Sequence, residues 1–399
     1  MGPTGRQGIR WALGNSCGMK IGIVGGGPAG LYLALLMKKQ DAVHDITVIE
    51  QNPAGATYGW GVVFSDRALS YLAASDPDSY RDIEARLQTW DDQAIVHQGQ
   101  RVRIDGLGFS GIARIELLRI LQAHCRRSGG RLQFETRLAD LTPLRDYDLI
   151  VGADGVNSLV REIYRAEFQP SVEILTNRYV WYGTNQLFDC LTLTFRENRD
   201  GVFVAHHYRH SETASTFIVE CDAETWAHAR LAEKSEDEGR RYCEGVFRDD
   251  LGGHPLLVNK SQWLNFKVVT TRRCRHDNVV LLGDALRTVH FSIGSGTRMA
   301  LEDAIALAQA LGAHRQVKAA LEEFERARRP TVERFLQVAA HSFLWYEHMR
   351  EKLRLDPLSF AYDYMMRSGT ISHERLRERS PKFAAAQEAY AATQRAVRE

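Results

Sequence analysis

The chain has 399 residues, with Lys+Arg 51 against Asp+Glu 50 for a formal charge of +1; hydrophobic residues make up 44% and charged residues 25%. These are the values of an ordinary globular protein built as one large domain or two intimate ones, which excludes wholesale disorder. The balanced charge gives no basic footprint for nucleic acid and no field for an anionic membrane, and no run of about 18 apolar residues is present to cross one.

The first 18 residues, MGPTGRQGIRWALGNSCG, are glycine-rich and polar and read as a disordered leader or tag, not a signal peptide; folding is expected to begin at Met19. Lys20 to Val24 (KIGIV) predicts a strand that stops at glycines, Leu31 to Met37 a helix, and Asp45 to Glu50 (DITVIE) a second strand, the opening of a doubly wound sheet. Ile112 to Cys125 has helical spacing, with Ile115, Leu118 and Leu121 on one face. Asp148–Val151 and Val279–Leu282 read as further short buried strands. Between them, Tyr179–Gly183, Leu191–Arg196, Val202–Tyr208 and Ser215–Cys221 are β-rich runs parted by polar turns, which predicts an antiparallel sheet. From Thr297 the pattern is helical: TRMALEDAIALAQAL, then VKAALEEFERARR, expected to end at Pro330, then VERFLQVAAHSFLWYEHM. The EFERARR run reads as a solvated helix face, and the tail from Asp356 as polar and helical. Six cysteines (Cys17, Cys125, Cys190, Cys221, Cys243, Cys274) form no CxxC pair, so they read as reduced thiols of a cytoplasmic protein, and no metal-ligand cluster stands out.

Gly25-Gly26-Gly27-Pro28-Ala29-Gly30 satisfies GxGxxG between a strand and a helix. In that pattern Gly25 makes the tight turn, Gly27 lets backbone approach a pyrophosphate, and Gly30 lets helix and strand pack closely. Beside Pro28 and Ala29, the N-terminus of the following helix then presents free N–H groups and a positive dipole end to the phosphates. Glu50 closes the next strand 20 residues beyond Gly30, where an acidic side chain takes ribose hydroxyls; a ribose without a 2′-phosphate, as in NAD or FAD, is implied. Asp154-Gly155 (in DGVNSLVR) and Gly283-Asp284 (in VVLLGDA) also follow strands, and the latter leads into SIGSGT, Ser292 to Thr297. Three such turns, about 130 residues apart, are more than a hydride-transfer Rossmann unit needs.

These three segments resemble the fingerprints of the group A flavoprotein monooxygenases, the family of para-hydroxybenzoate hydroxylase, and the resemblance runs from Met19 to Phe383. It implies a mixed α/β fold: a GxGxxG Rossmann-like FAD-binding domain, an inserted antiparallel-sheet substrate domain and C-terminal helices. The implied division is FAD domain at 19–70, 106–175 and 271–330, substrate domain at 71–105 and 176–270, and helices at 331–399. It further implies that Asp154 with Arg161 shapes the FAD and NAD(P)H contacts, and that Gly283 and Asp284 hold the ribityl and pyrophosphate. Arg114, of Arg114-x-x-Leu117, would contact the flavin, and the Gly294, Gly296, Thr297 backbone would pass over it. Tyr58–Ser65, Trp181–Thr184, Ser215–Glu220 and His290–Thr297 are similar to one branch. That branch holds the salicylyl-CoA 5-hydroxylases, the monooxygenase half of the anthraniloyl-CoA monooxygenase/reductases and the violacein-pathway tryptophan hydroxylase; the tail is more like the CoA-thioester members. Arg287 stands where the wider family has a His, and Phe291 where it has a Pro.

The implied activity is hydroxylation of an activated aromatic ring through a flavin C4a-hydroperoxide, with FAD as cofactor, NADPH or NADH as co-substrate and O2 as oxidant. The preferred substrate is an aryl-CoA thioester such as salicylyl-CoA or anthraniloyl-CoA; the alternatives are a free tryptophan or indole-type substrate, and a non-hydroxylating FAD-binding protein. A monomer or homodimer is expected. His206, His207, Tyr208 and Arg209 end a strand, and alternation puts His206 and Tyr208 on one face, His207 and Arg209 on the other. Together with Tyr182 and His290 from the branch motifs, His206 and Tyr208 are the candidates to accept a phenol or aniline proton near the ring, against the plainer alternative that they are packed core residues.

Overall fold

The computed structural model describes residues 18–398; Cys17 and all but the last residue of the expected leader lie outside the described residues. The KIGIV run forms the strand Lys20–Val24, whose four buried residues out of five mark a strand covered on both faces. It lies inside a six-stranded sheet ordered Arg275–His276, Val279–Leu281, Leu149–Gly152, Lys20–Val24, Asp45–Ile49, Arg131–Gln133. Every neighbouring pair is parallel except the first two strands, which form a hairpin. Parallel direction has a positional consequence: the residues that follow four of these strands, Gly25, Glu50, Ala153 and Leu282, emerge along one edge. The helices Pro28–Gln40 and Gly296–Ala313 pack together, and Ile21, Val48, Val151, Leu281 and Leu307 join one continuous core. Ile112 belongs to a strand, Phe109–Ala113, and the helix starts two residues later as Arg114–Arg127.

The second sheet has eight strands in the order Leu256–Leu257, Pro170–Thr184, Ser215–Cys221, Gly201–Arg209, Leu191–Asn198, Gln93–His97, Gln100–Ile104, with Leu264–Thr271 also paired to Pro170–Thr184. It departs from a wholly antiparallel sheet at one place: Gln93–His97 runs parallel to Leu191–Asn198. A hairpin supplied by an earlier part of the chain docks there through a crossover, which a local β pattern cannot reveal. Strand alternation divides Gly201–Arg209 between two cores. Val202 and Val204 meet Trp345, Phe360 and Tyr364, while Phe203 and Ala205 meet Tyr182, Phe217 and Cys243.

The long helix Val317–Glu347 passes through Pro330 without ending. An interior proline costs about 3 kcal/mol, and here both flanks are anchored, by Ala320, Leu321 and Phe324 before it and Ala339, Trp345 and Tyr346 after it. The EFERARR face is only partly solvated. Arg328 is 9% exposed and donates to Asp303 at 2.9 Å. The tail folds as Pro357–Met366, His373–Arg379 and Pro381–Arg398, and Phe360, Tyr364 and Phe383 cover the second sheet. No helix among the described residues is long and apolar enough to cross a membrane.

Candidate functional site

The three glycine turns converge at the edge where the parallel strands end. A Cβ on Gly25 (φ +109°) would lie 2.2 Å from the Ala153 carbonyl oxygen, and one on Gly283 would lie 3.5 Å from Ala29 Cβ. Arg161 clamps the second turn to the third by donating to the carbonyls of Val156 (2.6 Å) and Ala285 (2.9 Å). Asp154 faces inward: its carboxylate accepts from the Ser158 hydroxyl (2.6 Å) and the Leu159 N–H (2.7 Å), capping the short helix that follows. Glu50 accepts from Gly26 N–H at 2.8 Å and from Asn52 N–H at 2.8 Å, which pins the acidic strand end to the glycine turn.

Arg287 supports the third turn from below. It is 2% exposed and pairs with Asp303, which also accepts the Gly283 N–H at 3.1 Å and a bond from Arg328. Asp284 opens into the groove; the protein packed around it raises its pKa, against the opposing fields of Arg114, Arg287 and Arg161. Neither the Asp284 carboxylate nor the Arg114 guanidinium makes a hydrogen bond or ion pair of ordinary length among the described residues, and each lies within reach of the other's field.

Next to this groove a cavity of about 210 Å³ lies between the second sheet, the strand Gly61–Ser65, the SIGSGT turn and the helix Pro357–Met366. Val62, Phe109, Leu193, Ile218 and Phe291 make its walls apolar, while Arg114, His206, Gly294, Gly296, Thr297 and Arg367 also line it. The helix Gly296–Ala313 starts here with no side-chain cap and no acidic residue in its first turn, so its N–H groups and positive dipole end face the cavity mouth.

Residues 145–339 match the family model described as "FAD binding domain". The chain is 40% identical over 361 residues to the salicyloyl-CoA 5-hydroxylase of a Streptomyces species, an alignment that covers 88% of this chain and 70% of that protein. The chain belongs to the FAD-dependent aromatic monooxygenases. Another such monooxygenase, the protodeoxyviolaceinate monooxygenase of Chromobacterium violaceum, is 40% identical over 359 residues, covering 88% of this chain and 95% of that one. The 3-hydroxy-4-methyl-anthranilyl-(aryl-carrier protein) 5-monooxygenase of Streptosporangium sibiricum is 35% identical over 331 residues, covering 83% and 90%. In fold, the chain superposes on 2-methyl-3-hydroxypyridine-5-carboxylic acid oxygenase with a TM-score of 0.69 at 16% identity, over 93% of this chain and 98% of that one. The three sequence relatives are named as a hydroxylase and two monooxygenases, which sets aside the non-hydroxylating reading.

FAD, reduced by NAD(P)H, is the cofactor of this monooxygenase, and the residues present fit it. A Cβ on Gly27 would meet nothing within 4 Å, so the cradle beside the uncapped helix Pro28–Gln40 is open at the second glycine alone of the three. Asp284 and Arg114 offer one unpaired acceptor and one unpaired donor along the same groove.

The four candidates for the monooxygenase's substrate side part company. His206 and Tyr208 line the cavity. Tyr208 donates its hydroxyl proton to the Gly61 carbonyl at 2.8 Å, and burial raises its pKa, so it is committed to holding a strand. His290 is not a lining residue: it stacks on Phe291 at 4.3 Å, takes the Ser292 hydroxyl on Nδ1 at 2.8 Å, and is pushed down to about 4 chiefly by burial. Tyr182 points through the sheet to the opposite core beside Cys243, because the odd–even phase of its strand places it there. His207 also faces away, hydrogen-bonded to Thr194 at 2.9 Å, and Arg209 donates to the Ser211 carbonyl at the strand end. Two groups escaped the sequence reading. Arg367 comes from the tail, where nothing marks it; Glu220, 3.2 Å from His206, interrupts the apolar strand STFIVEC, and that lone carboxylate in a sheet interior was the available signal.

Proposed function

We propose that this monooxygenase hydroxylates an aromatic ring bearing a hydroxyl or amine and held as a thioester, with salicyloyl-CoA or anthraniloyl-CoA as the representative substrates. The observation that carries the reading is the state of the cavity's cations. Arg367 spends its donors on the Tyr364 carbonyl (2.9 Å), the Ser292 carbonyl (3.0 Å) and the Ser342 hydroxyl (3.1 Å), and its plane stacks on Tyr364. Arg114 faces the charge of Asp284. An apolar cavity whose Arg367 is committed to protein acceptors, with Arg114 facing Asp284 on the cofactor side, favours a neutral acyl ring over a free carboxylate. The salicyloyl-CoA and anthranilyl-carrier-protein relatives point the same way, since both names carry a thioester. The equally similar violacein-pathway relative favours a second reading, an indole-type substrate.

In this reading Glu50 takes the ribose hydroxyls, Gly27 and the helix behind it take the pyrophosphate, and Asp284 the ribityl chain. Asp154 and Arg161 act by holding their turns, and Gly294, Gly296 and Thr297 turn backbone toward the ring system beside Arg114. Bound FAD, once reduced, supplies the activation of O2 that the aromatic ring cannot achieve for itself. The chain's own part is to exclude water with Val62, Phe109, Leu193 and Phe291, to hold the ring within about 3–3.5 Å of the reacting oxygen, and to take its proton at His206. Five buried unpaired thiols support a reducing cytoplasm as its compartment.

The test compares NAD(P)H oxidation and hydroxylated product with salicyloyl-CoA, anthraniloyl-CoA, free salicylate and tryptophan. Product from a thioester at least tenfold ahead of the free acids is expected. Comparable kcat/KM for free salicylate refutes the thioester assignment, and product from tryptophan alone selects the second reading.

A further inference from the structure

We propose that Glu220 is the positioning residue that makes His206 the proton acceptor for the substrate's ring hydroxyl or amine. This rests on the reading that such a ring occupies the cavity. Glu220 is 1% exposed in the strand Ser215–Cys221, where Ile218 lies opposite His206 and Glu220 two residues further along the same face. Its Oε2 lies 3.2 Å from His206 Nε2, and its Oε1 accepts from Asn177 Nδ2 at 2.8 Å. Asn177 sits where the pairing register shifts between Ile174 and Arg178, and its backbone N–H donates to Glu347 Oε1 at 2.9 Å. The carboxylate is thus fixed at both oxygens, inside a sheet, with no Lys or Arg ion-paired to it among the described residues.

An ionised carboxylate only accepts hydrogen bonds. Nε2 of His206 therefore carries the proton, and Nδ1 keeps its lone pair. No described residue hydrogen-bonds to Nδ1, and the ring lines the cavity. Burial raises the pKa of Glu220, but His206, His290 and Asn177 outweigh it and hold the carboxyl below its ordinary range. Of the other groups around His206, His290 on the turn is pushed down to about 4 and Tyr346 on the long helix, 5.1 Å away ring to ring, is raised well above its ordinary value, so both are uncharged, while the guanidiniums of Arg367 and Arg114 line the same cavity as positive charges. Glu220 is the carboxylate in contact with His206, and it fixes the tautomer and orientation of the ring.

The step balances without another reagent. For a phenol the O–H bond breaks, the proton passes to Nδ1, and the electron pair stays with the ring and raises its nucleophilicity; for an amine, whose lone pair already activates the ring, the N–H proton passes to Nδ1 as the ring carbon takes the oxygen. The imidazolium holds its second proton on Glu220, and the transferred proton returns to the product's substituent on release.

Glu220→Gln, His206→Asn and the double variant, all loaded with FAD, test this with salicyloyl-CoA. Glu220→Gln removes the charge, so the acid limb of the hydroxylation profile should move to lower pH, while the plateau falls by about 10²-fold. Flavin reduction by NAD(P)H should stay within about twofold. Because Glu220 acts through His206, its substitution should cost nothing more in the His206→Asn background. If Glu220→Gln does not fold, Asn177→Ser gives the opposite sign: freeing Oε1 strengthens the charge and moves the limb to higher pH. In protein without FAD, nitrogen NMR should find the Nε2–H tautomer of His206 in the wild type. Equal costs in both backgrounds, or a limb that neither substitution moves, assign Glu220 a purely structural role. A wild type that hydroxylates none of the aromatic compounds tried fails the functional reading instead.

Discussion

Gly27→Ala separates cofactor binding from folding. Gly27 is the N-cap of Pro28–Gln40 with φ −78° and ψ −179°, a conformation open to any residue. A Cβ there would meet nothing within 4 Å, whereas one on Gly30 would lie 2.2 Å from the Gly25 carbonyl oxygen. For the protein without FAD two small terms oppose each other. Loss of glycine freedom in the unfolded chain stabilises by about 0.4–1 kcal/mol, and alanine is a poorer N-cap by a similar amount. The denaturant midpoint should therefore stay within about 1 kcal/mol of wild type. With FAD the methyl group stands where backbone N–H groups must approach the pyrophosphate. Loss of one charge-assisted bond, about 1.5–3 kcal/mol, weakens FAD binding roughly 10- to 150-fold. Gly27→Val should do so more strongly. Fluorescence titration of the FAD-free protein measures the affinity, and urea unfolding the stability. Wild-type FAD affinity for both variants would falsify the cradle; a loss of several kcal/mol in the FAD-free protein would show that Gly27 serves the fold.

Arg161→Met leaves the carbonyls of Val156 and Ala285 without their donor and should cost about 1–3 kcal/mol by urea unfolding, with FAD binding weakened as the second and third turns part. Unchanged stability contradicts the clamp. Tyr208→Phe removes a hydroxyl bonded to the Gly61 carbonyl, so stability should fall by about 1 kcal/mol while the product-to-peroxide ratio holds; peroxide replacing product returns Tyr208 to the chemistry. Buried His290 and His210 are pushed down to about 4 and His207 to about 3 from an ordinary 6.5, so the unfolded chain binds more protons between those values. Stability is fully present above about pH 6.5 and is lost as pH falls toward 4, by up to about 1.4 kcal/mol per unit for each group. A urea midpoint that is flat from pH 7 to 4.5 refutes the burial of these rings in neutral form.

The nucleotide half is legible because its signals are local. Gly25, Gly27 and Gly30 answer to backbone geometry within one turn, and Glu50 to the length of a helix and a strand. The ring cavity is not, because it is assembled from distant segments. Alternation placed His206 and Tyr208 on one face correctly, yet Tyr182 sits on a strand whose phase is set by pairing with Phe217, out of reach of any local pattern. His290 lies on the right turn, but its stacking on Phe291 and its bond to Ser292 are tertiary facts. Pro330 reads as a stop because propensity is local, whereas the packing that carries the helix through it is not. Arg328 looked solvated until Asp303 arrived from another helix.

The helix Val317–Glu347 joins the two chemistries physically. Arg328 in its first half bonds Asp303, under the turn that carries Gly283, and Glu347 at its end holds the bulge that carries Asn177. At 1.5 Å per residue, those two anchor points are about 29 Å apart along one continuous helix. For engineering, the eight-stranded sheet is therefore not a cassette. A chimera that grafts residues 170–257 onto the nucleotide half of another family member inherits a foreign ruler, and with it a bulge set to a different height. The graft that keeps ring and cofactor in register must carry the helix with the sheet.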